Sequence, residues 1–220
     1  MGRAKLRRFE ENLDRHNILQ DNKEIYSRLK GTWNKEVFLT DQPITVEFGC
    51  GKGEYTIGLA RLSKNRNYIG VDVKGDRLWV GSTQAMEEKL DNVCFLRTQI
   101  QQIDNFFEKG EIDEIWITFP DPRPKDRDIK RRLTSPRYLE MYKHIIKEDG
   151  IVNFKTDNHA LFEYTLEVLQ ERKDIKELQF TFDLYDSDLQ HYTKGIKTNF
   201  EEKYLAIGTP IKYLQFKFNI

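Results

Sequence analysis

Short apolar runs alternate along this chain with stretches whose apolar residues recur at helical spacing, and that alternation sets the expected elements. Ile44 to Phe48 reads as a buried strand that runs into glycines, and Glu54 to about Leu62 as the helix after it. Tyr68 to Asp72 is the second strand, followed by a helical pattern from Gly75 to Leu90. Val93 to Leu96 gives a third strand, with a short helix through Ile103, Phe106 and Phe107. Ile112 to Phe119 is the fourth. Pro136 stands where the next helix opens, with Ser135 placed to cap it. A fifth strand runs from Ile151 to Lys155, and Asn158 to Glu171 is again helical. The tail from Lys176 reads as β-type, in Leu178–Phe182 and Lys203–Ile207.

Strands and helices alternating at this interval predict an α/β fold with a doubly wound, mostly parallel sheet of Rossmann-like type and a late antiparallel addition. Residues 1–40 form a basic, helical or irregular lead-in, and residues 41–220 are expected to make one domain. Ligands in such sheets bind beyond the carboxyl ends of the strands, near the point where strand order reverses.

Composition narrows the class. Charged residues make up 33% and apolar ones 38% of 220, which suits a globular protein and disfavours disorder. No apolar run approaches the roughly 18 residues of a membrane span, and the basic N-terminus lacks the apolar stretch of a signal peptide. A cytoplasmic protein is expected, with no membrane partner. Cys50 and Cys94 are far apart and lack metal-ligand companions, so they read as free thiols with no metal expected. The sequence favours neither monomer nor homodimer.

The formal net charge is zero, yet basic residues cluster. Arg3, Lys5, Arg7 and Arg8 open the chain without an acid, and Arg123, Lys125, Arg127, Lys130, Arg131, Arg132 and Arg137 follow Asp121. Local strips on a neutral protein indicate a selective polyanion binder. Arg127, Lys130, Arg131 and Arg132 are the expected phosphate contacts.

The cofactor signal lies in the stretch VEFGCGKGEY. Gly49, Gly51 and Gly53 allow a tight strand-to-helix turn whose backbone approaches a ligand closely. The spacing is not the G-x-G-x-x-G of a dinucleotide site, and Glu47 and Glu54 would repel a pyrophosphate. Asp72 ends the second strand, placed to accept from ribose hydroxyls. Acid before the glycines and acid after the second strand point to S-adenosyl-L-methionine, with a nicotinamide dinucleotide as the alternative.

The run Ile115-Trp-Ile-Thr-Phe-Pro-Asp121-Pro-Arg-Pro-Lys125 sets three prolines around one carboxylate. Together with Lys130–Leu133, Phe154-Lys-Thr-Asp157-Asn and Thr198-Asn-Phe-Glu201-Glu-Lys, it resembles the bacterial tRNA (guanine-N7-)-methyltransferase family over residues 44–210. The resemblance implies a class I methyltransferase fold, S-adenosyl-L-methionine as cofactor, tRNA as partner, and transfer to N7 of the guanosine at position 46 in the variable loop. It also implies cofactor contacts at Glu47, Asp72 and Asp121, with Asp121 catalytic, and substrate contacts at Lys125, Asp157 and Thr198 to Glu201. The chain departs from the family at Arg123, usually Trp, at Asp128, usually His, and at Gln99, usually Asp; the Gln99 amide can still contact the cofactor.

Plainer readings of some residues stand beside these: Asp157 as a helix cap, Glu201 as a solvated strand residue. Other functional classes stand too, namely a methyltransferase for another RNA or a small molecule, and a catalytically silent RNA-binding module. One geometric expectation separates the enzyme from the rest. Asp121 and the glycine bend at 49–53 must line the same cleft.

Overall fold

The computed structural model describes residues 2–220. Eight strands form one sheet: β1 (Ile18–Leu19), β2 (Ile44–Phe48), β3 (Asn67–Asp72), β4 (Val93–Arg97), β5 (Ile112–Thr118), β6 (Ile146–Thr156), β7 (Ile175–Thr181) and β8 (Lys212–Phe218). Their order across the sheet is β1-β4-β3-β2-β5-β6-β8-β7. All neighbouring pairs are parallel except those made by β8, which runs antiparallel to both β6 and β7. Six α-helices accompany it: α1 (Arg3–Asp14), α2 (Glu54–Leu62), α3 (Gly75–Glu87), α4 (Pro136–Ile145), α5 (His159–Gln170) and α6 (Asn199–Ala206).

The central strands explain the apolar runs. In β2, Ile44, Val46 and Phe48 point into one core with Trp33, Phe107 and Tyr142, while the other face of the sheet carries Tyr55, Phe95, Trp116 and Tyr213. Both faces are covered, so all five β2 residues are buried, as a parallel strand between helix layers must be. Strand order reverses at β2, which has β3 on one side and β5 on the other. The carboxyl ends of these strands therefore open the crevice where a ligand fits.

The tail differs from the expectation in two places. Lys203–Ile207 is not a strand; Lys203 to Ala206 lie in α6. Its Thr198-Asn-Phe-Glu201 start forms a capping box, with the Glu201 N–H donating to the Thr198 hydroxyl and the Thr198 N–H to the Glu201 carboxylate. Gly208 at φ +74° lies just beyond the helix, so the local caps override the apolar run between them. Strand β8, whose apolar and polar residues alternate in KYLQFKF, inserts between β6 and β7. The late antiparallel addition is thus an interior strand, and β7 is the edge.

The lead-in is more ordered than its composition implies. Ile18 and Leu19 pair with Phe95 and Leu96 as a short parallel strand. Trp33 is fully buried, stacks on Phe107 at 5.3 Å and donates its indole N–H to the Phe106 carbonyl at 2.7 Å. Helix α1 lies on α3: Lys5 pairs with Asp76 at 3.7 Å and the Arg8 guanidinium sits 4.7 Å from the Trp79 ring. Lys5 and Arg8 are therefore held against the domain, while Arg7 is exposed and pairs with Glu11 within α1.

Candidate active site

The glycine bend leaves β2 through three left-handed residues, Gly49 at φ +77°, Gly51 at +58° and Gly53 at +74°. A Cβ on Gly53 would stand 2.5 Å from the Phe95 ring, so backbone shape and packing both demand glycine there. Asp72, at the end of β3, fastens the bend from beside it. One carboxylate oxygen accepts the Gly51 N–H at 3.0 Å and the other the Lys74 N–H at 2.8 Å.

Glu47 points from β2 beneath the bend and is only 2% exposed. It accepts the Thr56 N–H at 2.9 Å and the hydroxyls of Thr56 and Thr118. Burial dominates over these donors and pushes its carboxyl up to about 7. Two hollows adjoin this point. A cleft of about 570 Å³ is bordered by Gly49, Asp72, Gln99, Phe119, Asp121 and Tyr138. A smaller hollow of about 270 Å³ is bordered by Glu47, Gly51, Glu54, Phe119, Thr198 and Phe200. Gly49, Arg77 and Phe119 belong to both. Asp121 and Gly49, the first residue of the glycine bend, border one cleft, while Gly51 borders the smaller hollow beside it.

Asp121 occupies a turn with strained ends. Phe119 and Arg123 both have positive φ, +47° and +46°, in residues that carry side chains. The Phe119 N–H donates to the Lys155 carbonyl at 2.8 Å, which ties the turn to β6. Asp121 itself is 63% exposed; it accepts the Arg123 N–H at 3.2 Å and pairs with the Arg123 guanidinium at 3.2 Å. Arg123 is therefore the partner of this carboxylate.

The remaining expected residues divide. Thr198 caps α6 beside the smaller hollow, and neighbouring Asn199 donates its N–H to Glu54 at 2.7 Å. Glu201 is not a solvated strand residue. It is fully buried, 2.8 Å from the Lys155 ammonium, and accepts from the Tyr185 hydroxyl at 2.7 Å. Its carboxylate anchors the turn at Thr198 and does not border the hollow. Asp157 is not the cap of α5; Asn158 is, accepting the Leu161 N–H at 2.8 Å. The Lys212 ammonium donates to the Asp157 carbonyl at 2.9 Å and lies close enough for its charge to be felt by the Asp157 carboxylate.

The basic strip is folded into a 3-10 helix, Asp126–Arg131, which follows Lys125. Lys125, Arg127 and Lys130 are exposed, and Arg131 borders the larger cleft. Arg132 stands apart from its neighbours in the strip. Its guanidinium turns inward to the carbonyls of Pro122 and Arg123 and lies 4.4 Å from the Tyr164 ring.

A family model described as "Putative methyltransferase" matches residues 41–214. A protein of Cytophaga hutchinsonii named tRNA (guanine-N(7)-)-methyltransferase is 48% identical to this chain, with 99% of each covered. One of the same name from Christiangramia forsetii is 45% identical, with 97% of each covered. The chain belongs to the tRNA (guanine-N7-)-methyltransferase family.

Solved structures agree with this family at the level of fold. The 16S rRNA methyltransferase KamB superposes with a TM-score of 0.63 at 11% identity, covering 86% of this chain and 93% of its own. A putative methyltransferase from Streptococcus mutans, solved in complex with SAH, gives 0.54 at 12% identity, covering 83% and 93%. Among the described residues no helix is long and apolar enough to cross a membrane.

Three residues beside the hollows of this family member escaped the sequence reading. Arg77, in the first turn of α3, borders both, as does Phe119, and Phe200 lines the smaller while 60% exposed. Phe119 and Phe200 lie inside quoted motifs, as an aromatic between Thr118 and Pro120 and one beside the Thr198 cap. Nothing local marks Arg77, which only the packing of α3 against the bend brings in.

Proposed function

We propose that this chain transfers the methyl group of S-adenosyl-L-methionine to N7 of a guanine in tRNA, with the guanosine at position 46 of the variable loop as the target. Residues 41–220 make the methyltransferase domain, and the lead-in supports it. The observation that carries the reading, for a chain matched along its length to this family, is that Gly49, Asp72 and Asp121 border one cleft.

The site fits the cofactor. At Gly49 and Gly51 the left-handed bend leaves open space beside its backbone, Asp72 retains lone pairs for ribose hydroxyls, and Gln99 borders the cleft. The buried Glu47 carboxyl suits an ammonium, which would draw off its proton. When bound, S-adenosyl-L-methionine supplies a methyl group activated by an adjacent sulfonium.

Guanine N7 already offers a lone pair, so no side chain has to act as a base. The residues instead hold the two reactants in line, an effect worth roughly 7–11 kcal/mol in well-oriented systems. The prolines at 120, 122 and 124 stiffen the turn that aims Asp121. Positive charge passes to the purine during transfer, and its N1–H and amine become stronger donors. Asp121, which borders the cleft, is the carboxylate assigned to that edge, with Asp157, beyond the carboxyl end of β6 and outside both hollows, as a second; each would bind the charged purine more tightly than the neutral one. Glu201 serves the acceptor through Thr198, whose loop it anchors. Lys125, Arg127, Lys130 and Arg131 neutralise tRNA phosphates.

Tritiated methyl transfer to an unmodified tRNA transcript, followed by borohydride and aniline cleavage at the modified base, tests the reading. Cleavage at a single variable-loop guanosine is expected. Label incorporated without cleavage would refute N7 as the acceptor.

A further inference from the structure

The inward turn of Arg132 raises a question about how Asp121 is aimed. Prolines make the segment from Pro120 to Pro124 stiff, but a stiff segment still needs its ends fixed before its side chain points anywhere in particular. The first end is fixed by the Phe119 N–H on the β6 carbonyl of Lys155. The second end is Arg123, whose φ of +46° is unfavourable for a residue with a Cβ and persists only when its surroundings enforce it.

Arg132 is what reaches that second end. Its Nε lies 3.2 Å from the Pro122 carbonyl and 3.4 Å from that of Arg123, and Nη2 lies 3.3 Å from the Arg123 carbonyl. The guanidinium rests on Tyr164 of α5 at 4.4 Å. The Arg132 backbone is held as well: its N–H donates to the Ile129 carbonyl and its carbonyl accepts the Ser135 N–H, both at 3.0 Å. One side chain thus joins the turn after β5 to the helix after β6. No carboxylate pairs with it among the described residues.

We propose that Arg132 is a positioning residue for methyl transfer: its guanidinium clamps the Pro122 and Arg123 carbonyls and so fixes the Asp121 carboxylate, instead of binding RNA phosphate. The proposal rests on the assignment of Asp121 to the reaction. A lysine cannot replace this clamp, because a compact ammonium offers neither a planar fork for two carbonyls nor a flat face for Tyr164.

The test measures single-turnover methyl transfer at saturating enzyme and cofactor, and tRNA affinity as a function of salt, for Arg132→Lys and Arg132→Gln. A displaced catalytic group lowers rates by up to about 100-fold. Both variants should therefore lose roughly 10- to 100-fold in rate. The salt slope of tRNA binding should stay at the wild-type value in both. A phosphate contact gives the opposite result: Arg132→Gln lowers the slope by about 0.7–0.9, Arg132→Lys restores it, and the single-turnover rate holds. That result would overturn the proposal.

Should either variant fail to fold, Tyr164→Leu and Tyr164→Phe decide. Loss of rate in the first alone, with unchanged tRNA affinity, supports the clamp, and equal wild-type rates in both refute it. Asp121→Asn, run beside them, keeps the two claims apart: an unimpaired Asp121→Asn removes the assignment of Asp121 itself, whatever Arg132 does.

Discussion

The Lys155 ammonium and the Glu201 carboxylate lie 2.8 Å apart with neither side chain exposed to solvent. Lys155 also donates to the Ile196 carbonyl at 3.3 Å and lies 4.8 Å from the Tyr55 ring, while Tyr185 donates to Glu201. Burial pulls the Lys155 pKa down, against the opposing pull of Glu201. This pair fastens the Thr198 turn to β6, and so joins one wall of the smaller hollow to the sheet.

Breaking one half of the pair should be costly. Lys155→Met strands a buried carboxylate, and losses of about 3–5 kcal/mol are expected for such a change. Glu201→Leu should cost a similar amount. The double variant should recover much of the loss, so a denaturation cycle over the four proteins should return a strongly non-additive coupling. Additive losses would show that the two charges do not depend on each other.

Gly53→Ala tests the bend. The substitution places a Cβ in a left-handed conformation, at about 1–2 kcal/mol, and drives it into Phe95. Overpacking adds about 1–3 kcal/mol more. Relief requires the bend to shift, so S-adenosyl-L-methionine affinity, measured by calorimetry, should fall along with the melting temperature. A loss of stability with unchanged affinity would separate the bend from the cofactor.

Much of this site is legible in sequence because its signals are local. The glycines, Asp72 and the prolines around Asp121 each announce a backbone shape, and the alternation of elements places them at neighbouring strand ends. The residues whose surroundings stay hidden in the sequence depend on tertiary partners. Arg132 looks like its exposed neighbours until Pro122, Arg123 and Tyr164 close around it. Glu201 looks solvated in a charged stretch until Lys155 meets it from β6. The Thr198 to Glu201 capping box was visible in the sequence, but the apolar run of α6 gave the opposite signal.

Glu47 predicts a pH dependence. Its carboxyl is raised to about 7 from the ordinary value of 4.5, so the folded state holds a proton that the unfolded state releases. Stability from this group is complete below about 4.5 and is lost as pH rises through about 7. The full term is about 3 kcal/mol. Glu47→Gln should flatten that part of the melting-temperature profile between pH 5 and 7.5. Cofactor binding near pH 6.5 should release a proton in the wild type and not in the variant, as read by calorimetry in buffers of different ionisation heat.

Asp128 restrains the basic strip, and on the proposed function removing its charge should strengthen tRNA binding. The carboxylate lies 3.0 Å from Arg131 and 3.8 Å from Arg127, so one acid partly neutralises two of the exposed arginines beside the cleft. Asp128→Asn keeps the size and polarity of the side chain but releases both guanidiniums to phosphate. tRNA binding should tighten several-fold at low salt, and the slope of log affinity against log salt should steepen by up to about 0.7–0.9 for each phosphate newly engaged. Exposed ion pairs contribute only about 0–1 kcal/mol, so the melting temperature should hardly change. A variant whose slope matches the wild type would place the tRNA path away from Arg127 and Arg131, and leave Lys125 and Lys130 to carry it.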